Sequence, residues 1–378
     1  MILKSPQSKT FRHVYIAGIP DKRFDISIQN GRFASITESN PHPAEVVDGV
    51  QDLWINPGVI DLHTHLAWTD FDHDDQLKRD PHEVEVMQAQ AFEATLRTGV
   101  TTARDAGGLP PAAVRHIAEH YGPSLRVQTS TDMLGAADSR GLQHLEQRLK
   151  GIFESGAQWV KIMATGGLGA PTEKVADPNF SEEEFHFIVR HAHAHNKKVM
   201  VHTWGGVTID WSAAAGVTSI EHGMFLTEDQ AGRLAEAGVA FVPTASIYRI
   251  AADPRGVLAL PQVICDRAAR AVEAHPKAIE YARKAGVRLG FGTDYATPAL
   301  HGHNLQELDT LTDYGLTWSE ALKSATSTAA EILGSGYELG RIAEGYLADA
   351  IIFDADPYRA KNADELQKSI VTVITGAV

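Results

Sequence analysis

The sequence predicts an α/β chain: a (β/α)8 TIM barrel with a small β-sandwich domain formed by the N- and C-terminal segments. Three observations carry this. Short β-branched runs alternate with helical patterns along the middle of the chain, the arrangement of a parallel sheet. Eight such units can be counted, the number that closes a barrel. Both flanks instead read as short alternating strands joined by turns.

The strands are expected at Val59 to Leu66, Gly99 to Asp105, Leu125 to Met133, Trp159 to Thr165, Lys198 to Trp204, Thr218 to His222, Ala240 to Ala245 and Arg288 to Asp294. Between them lie helix-like stretches such as His82 to Thr98, Leu142 to Ser155, Ser181 to His195, Thr227 to Ala237 and Arg267 to Ala285. The flank Phe11 to Ile36 carries turns at Gly18-Ile19-Pro20-Asp21 and Asn30-Gly31. Gly340 to Pro357 carries turns near Glu344-Gly345 and Asp354 to Pro357, and Val371 to Val378 supplies a last strand. The expected division is therefore residues 1–56 and 340–378 for the two halves of the β domain, with 57–339 for the barrel.

Composition limits the function. The chain has 378 residues, 43% of them hydrophobic, enough to bury a barrel-sized core. A formal net charge of −14 without basic clusters makes nucleic acid and anionic membranes poor partners. Cys265 is the one cysteine, so no intrachain disulfide and no thiolate metal cluster can form, and any metal must be held by nitrogen and oxygen. Met1 to Arg12 holds no apolar segment of signal-peptide length, and no apolar run approaches the roughly 18 residues of a membrane span. A cytoplasmic enzyme acting on a small molecule, assembled as a homo-oligomer, is the expectation.

The most informative segment is Pro57-Gly58-Val59-Ile60-Asp61-Leu62-His63-Thr64-His65-Leu66. An apolar strand ends in two imidazoles one residue apart, so both leave the strand on one face and can hold one metal ion. His191, His193 and His195 have similar spacing, but lie in a helical, charge-flanked context and read as a helix surface. Further strands end in reactive groups: Lys161 lies in strand four, His202 closes strand five, His222 strand six and Asp294 strand eight. In a barrel these ends converge on one mouth.

Lys161 stands within the apolar run Trp159-Val160-Lys161-Ile162-Met163, where an unpaired ammonium costs several kcal/mol or must lose its charge. It either pairs with Asp294 or another carboxylate, or reacts as the free amine with carbon dioxide to give a carbamate able to bridge two metal ions. Asp294, in Gly290-Phe291-Gly292-Thr293-Asp294, either caps a helix or serves as a terminal ligand that also takes up a proton. Arg104 is expected in a structural ion pair near the bottom of the site.

These segments, together with Gly99-Val-Thr-Thr-Ala-Arg-Asp105, Val160-Lys-Ile-Met-Ala-Thr-Gly-Gly167, Ser219-Ile-Glu-His-Gly223 and Gly340-Arg-Ile-Ala-Glu-Gly-Tyr-Leu-Ala-Asp349, resemble the amidohydrolase superfamily, in particular its prolidase-like and imidazolonepropionase-like branch. The resemblance runs through nearly the whole chain. It implies two divalent metal ions, usually Zn2+. His63, His65 and Asp294 would hold the first ion and His202 and His222 the second, with carbamylated Lys161 bridging both. It implies an amide substrate, a dipeptide or N-acyl amino acid, attacked by a metal-bridging hydroxide, with Asp294 passing the proton to the leaving amine.

The chain departs from its relatives after strand three, where Thr131-Asp132-Met133-Leu134-Gly135-Ala136 replaces a Gly-Gly-His-Gly segment whose histidine binds substrate. Asp132 there either favours a neutral or cationic substrate group or is a solvated loop residue. Tyr248 matches a substrate-contacting tyrosine of relatives, with a rim aromatic as the plainer reading. His301, after strand eight, either faces the mouth or lies in a surface turn. Competing readings are a cyclic-amide or lactone hydrolase, a mononuclear deaminase and a non-catalytic scaffold. A deaminase needs a glutamate shortly after strand five that His202-Thr203-Trp204-Gly205-Gly206 lacks, and scaffolds of this kind lose ligands that are all present here.

Overall fold

The computed structural model describes residues 1–4, 7–39, 52–71, 73–122, 124–169 and 174–376. In chain order its strands are β1 (Ile2–Lys4), β2 (Ser8–Ile16), β3 (Ile19–Gln29), β4 (Arg32–Glu38), β5 (Trp54–Pro57), β6 (Val59–Thr64), β7 (Val100–Asp105), β8 (Arg126–Thr129), β9 (Met133–Leu134), β10 (Trp159–Met163), β11 (Lys198–Thr203), β12 (Ser219–His222), β13 (Ala240–Val242), β14 (Ala350–Phe353) and β15 (Ile370–Thr375).

Both flanks meet in one sheet of order β1-β15-β14-β5-β2-β3-β4, in which strands from the two ends of the chain are neighbours. The strands form one continuous hydrogen-bonded sheet, and its β4 edge bonds back to the segment before β14 (Phe33 N to Tyr346 O, 3.0 Å; Ala348 N to Gly31 O, 2.8 Å), enclosing Val14, Ile26, Ile28, Phe33, Ile55, Ile352 and Ile374. The β3–β4 turn falls at Asn30-Gly31, both residues left-handed at φ 51° and 71°, the twist a tight hairpin needs. The β2–β3 turn is centred on Ala17-Gly18, two residues ahead of the expected centre at Ile19-Pro20. Of the expected last strand, Ala377 and Val378 lie outside the described residues.

The middle of the chain forms two parallel sheets, β6-β7-β8 and β13-β12-β11-β10-β9. Apart from β8 and β9, their strands are almost wholly buried, as strands covered on both faces must be. Helices fall between them close to the expected places: Pro81–Arg97, Leu142–Glu154, Glu182–Ala194 and Glu228–Ala237, the last two opened by capping boxes at Ser181 and Thr227. The long helix Gln262–Ala285 starts five residues before the expected Arg267, directly after Pro261.

Three expected strands differ. The third is split, because Thr131 adopts φ 63° and breaks the extended run; β8 pairs with β7 while β9 pairs with β10. The seventh ends at Val242, since Thr244 is left-handed and opens the helix Ala245–Ala251. The eighth, residues 288–294, is extended without forming a full ladder. Gly290 N donates to Phe241 O (2.9 Å), and Leu62 N and Thr293 N bond across to Phe291 O (2.9 Å) and His63 O (3.0 Å), so the segment lies between β13 and β6. Glycine is required at 292, where a Cβ would stand 2.6 Å from Val242 Cγ1 and 3.0 Å from His63 Cβ. Among the described residues, no helix is long and apolar enough to cross a membrane.

Candidate metal centre

The strand ends bring His63, His65, Lys161, His202, His222 and Asp294 together. His63 lies in β6 and His65 directly follows its last residue, two positions on and toward the same side. His222 and Asp294 use another device: each follows a strand residue but adopts a left-handed φ, 71° and 56°, which turns its side chain out of the strand's alternation. The His63 ring lies 4.9 Å from that of His222, which lies 4.4 Å from that of His202. Asp294 Oδ1 stands 3.4 Å from His63 Nε2 and 3.3 Å from His65 Nε2. Among the described residues, His63, His222 and Asp294 offer ligand atoms all within 4.8 Å of one another.

Each histidine has one ring nitrogen committed to a fixed acceptor. His63 Nδ1 donates to Glu221 Oε2 (2.7 Å), His65 Nδ1 to Gly107 O (3.3 Å) and His202 Nε2 to Gly166 O (3.1 Å). His222 Nδ1 lies 2.7 Å from Thr244 Oγ1, whose own proton goes to Pro243 O (2.7 Å); the hydroxyl must therefore accept from His222. The opposite nitrogen of every ring keeps its lone pair. Orienting contacts of this kind are what metal-binding histidines require, so this donor set fits divalent ions.

The electrostatics agree. Burial and the neighbouring Lys161 push His202 down to about 4 and hold His63 well below the usual imidazole range. Burial, His202 and His63 do the same to His222, so these rings stay neutral. Burial alone would raise the Asp294 carboxyl, but His63, His65 and Lys161 outweigh it and hold it below the ordinary aspartate value. With its side chain 19% exposed against 1% for His63, Asp294 is also the more open to solvent.

Lys161 is buried, its Nζ 3.2 Å from His63 Nε2, and it makes no ion pair with any described carboxylate. Burial pushes its pKa down to about 8.

Tyr248 is brought to the same cluster, with its ring edge-on to His222 at 5.8 Å and to Trp204 at 5.4 Å. His301 is buried against the backbone of His65, with its Nδ1 3.3 Å from Thr95 Oγ1, and burial pushes it down to about 4 against the pull of that backbone. Asp132 forms an ion pair with Arg148 (2.7 Å), and none of its bonds reaches the cluster.

Several supporting residues carry no signal in a linear reading. Glu221 accepts from Arg104 Nη2 on both carboxylate oxygens (2.9 Å each) and from His63 Nδ1 on Oε2. Arg104 also donates to Leu62 O and Ser219 Oγ, which makes it the structural ion-pair member its buried position demanded. Removing either partner would strand a buried charge, at about 3–5 kcal/mol. Two opposite charges in apolar strands, Arg104 and Glu221, were the available clue. Asp61 accepts from His63 N (3.1 Å), Thr293 N (3.1 Å), Thr293 Oγ1 (2.8 Å) and Asn304 Nδ2 (3.1 Å), tying strand one to the Asp294 turn.

Fold and site define a parallel α/β protein with a histidine–carboxylate centre at its strand ends. The profile of the amidohydrolase family matches residues 54–378, and the chain belongs to that family. It is similar to the ochratoxinase of Aspergillus niger, 30% identical over 238 residues, 62% of this chain and 49% of the relative, so it spans about half that relative's length. It is 23% identical to the imidazolonepropionase of Chromobacterium violaceum over 373 residues, covering 86% of this chain and 84% of that one. Among solved structures, a prolidase complexed with N-methylphosphonate-L-proline superposes with a TM-score of 0.87 at 24% identity, over 98% of this chain and 100% of the other.

Proposed function

We propose that the chain is a binuclear metal-dependent hydrolase that cleaves an amide bond in a small substrate, a dipeptide or N-acyl amino acid. The observation that carries this is the set of four histidines, each oriented by a fixed acceptor at one ring nitrogen, around Asp294 and a buried lysine that has no carboxylate ion pair among the described residues. The similarity to an ochratoxinase and to the fold of a prolidase supports it. Hydrogen bonds from residues 288–294 to both parallel sheets support a closed (β/α)8 barrel, residues 57–339, with the β domain built from 1–56 and 340–378.

In this reading His63, His65 and Asp294 would hold one ion and His202 and His222 the other, and Lys161, as its carbamate, would be a ligand available to both. Two such ions, zinc for choice, supply an activated water at neutral pH and polarise the substrate carbonyl. The protein's own part follows from its geometry. Glu221, Gly107, Gly166 and Thr244 fix the four rings so that no reorientation is needed during turnover. Asp294, ionised and solvent-accessible, accepts the proton of the water and delivers it to the departing amine. Tyr248, beside His222, offers its hydroxyl to the substrate carboxylate or carbonyl.

The similarity to an imidazolonepropionase favours a cyclic amide as the second reading. A panel of dipeptides, N-acyl amino acids, lactones and cyclic amides separates the two. The metal-replete enzyme is expected to release free amine from linear amides, to lose this activity to a chelator and to regain it with divalent metal. Turnover confined to rings, or release of ammonia alone, would overturn the linear-amide assignment.

A further inference from the structure

Thr244 precedes the helix Ala245–Ala251 at the capping position, with φ 50° and ψ 47°. A threonine there normally satisfies the helix's first free amides with its hydroxyl. Here it makes no such bond, because the hydroxyl accepts from His222 Nδ1 and donates to Pro243 O. The amides are served from elsewhere. Glu307, fully buried in the first turn of the helix Gln306–Asp313, accepts Ala245 N on Oε1 (2.9 Å) and Ser246 N on Oε2 (2.7 Å). Ser246 Oγ in turn donates to Tyr295 OH (3.4 Å), next to Asp294.

The geometry points to Glu307 as a positioning residue: by capping this helix in place of Thr244, it frees the Thr244 hydroxyl to fix His222 in the tautomer protonated at Nδ1, which leaves the lone pair on Nε2. Without the carboxylate, two buried amides lose their acceptor, and the hydroxyl at the capping position, that of Thr244, is drawn toward them. That hydroxyl cannot serve both partners, so the His222 ring loses its orientation. Burial pushes the Glu307 carboxyl up to about 8, while its bonds to Ser246 and Ala245 pull the other way by favouring the charged form. The consequence for metal binding rests on His222 being a ligand, as proposed above; the tautomer itself does not.

The test uses metal-free protein with 15N-labelled histidine, as wild type, Glu307→Gln, Thr244→Ala and the double variant. Glutamine keeps one acceptor and sets an NH2 donor against the second amide. Wild type is expected to show His222 protonated at Nδ1, and Glu307→Gln a mixture of tautomers. Metal competition against a chromophoric chelator should show the second ion bound about 10- to 100-fold more weakly in either single variant, the usual cost of losing an orienting partner. The double variant should be no weaker than the worse single, since both act by one route. An unchanged tautomer in Glu307→Gln, or losses that multiply, would overturn the assignment. If Glu307→Gln does not fold, hydrogen exchange in wild type decides: the Ala245 and Ser246 amides should be as protected as helix interiors, and rapid exchange there would rule Glu307 out. Inactivity on every amide would remove the hydrolase reading while leaving these results to stand on their own.

Discussion

Asp294→Asn is expected to lower turnover by roughly 10²-fold or more, the size of a lost general acid–base group, while metal content falls only modestly. The carboxylate stands 3.4 Å from His63 Nε2 and 3.3 Å from His65 Nε2, close enough to share an ion with both. Asparagine keeps an oxygen in that place and so retains part of the ligand role. It has no basic lone pair to accept a proton, so the transfer role is lost. The two roles separate in one variant when metal content and kcat are measured on the same sample. In wild type, the histidines and Lys161 hold the acid below its ordinary value, so the proton acceptor is present at neutral pH. The rate should fall as acid protonates it. Near wild-type turnover in Asp294→Asn with metals bound would assign the proton transfer to another residue.

The inward pair His63 and His65 was legible because two ordinary signals coincide there, an uninterrupted apolar strand and a spacing of two. Lys161 was legible as a charge with no business inside an apolar run. The roles of Thr244, Glu221 and Glu307 were not, for a physical reason. Each acts through a partner far away in sequence: Glu221 lies 158 positions from His63 and Glu307 lies 61 from Ser246. Local pattern also misled at the strand ends. A left-handed φ at Thr131 and Thr244, both β-branched, is sustained by tertiary bonds that no propensity encodes, so the third and seventh strands were drawn too long. His301 and Asp132 sit in loops whose direction is set by packing, against Thr95 in one case and Arg148 in the other.

Lys161→Ala is expected to abolish measurable turnover and to release the second ion during dialysis, while the first, held by His63, His65 and Asp294, is retained. The reason is charge. Lys161 has no carboxylate partner among the described residues, and its pKa is pushed down to about 8, chiefly by burial. The free amine, which is the form that reacts with carbon dioxide, therefore becomes abundant as pH rises through about 8. Metal-free wild type should accordingly regain activity faster with divalent metal plus bicarbonate at a pH about half a unit above that value than at about one unit below it, and slowly without bicarbonate. Lys161→Ala should recover in part with a short carboxylic acid that fills the vacated space. Reactivation indifferent to bicarbonate, or an active metal-loaded crystal with an unmodified Lys161 ammonium, would contradict the carbamate.

The central claim is that six strand-end residues build one site for two ions. Elemental analysis of metal-replete protein, titrated from the metal-free state with activity followed at each step, tests it most directly. The account predicts that activity climbs until about two divalent ions are bound per chain and then stays level. A plateau at one ion per chain with full activity would contradict it.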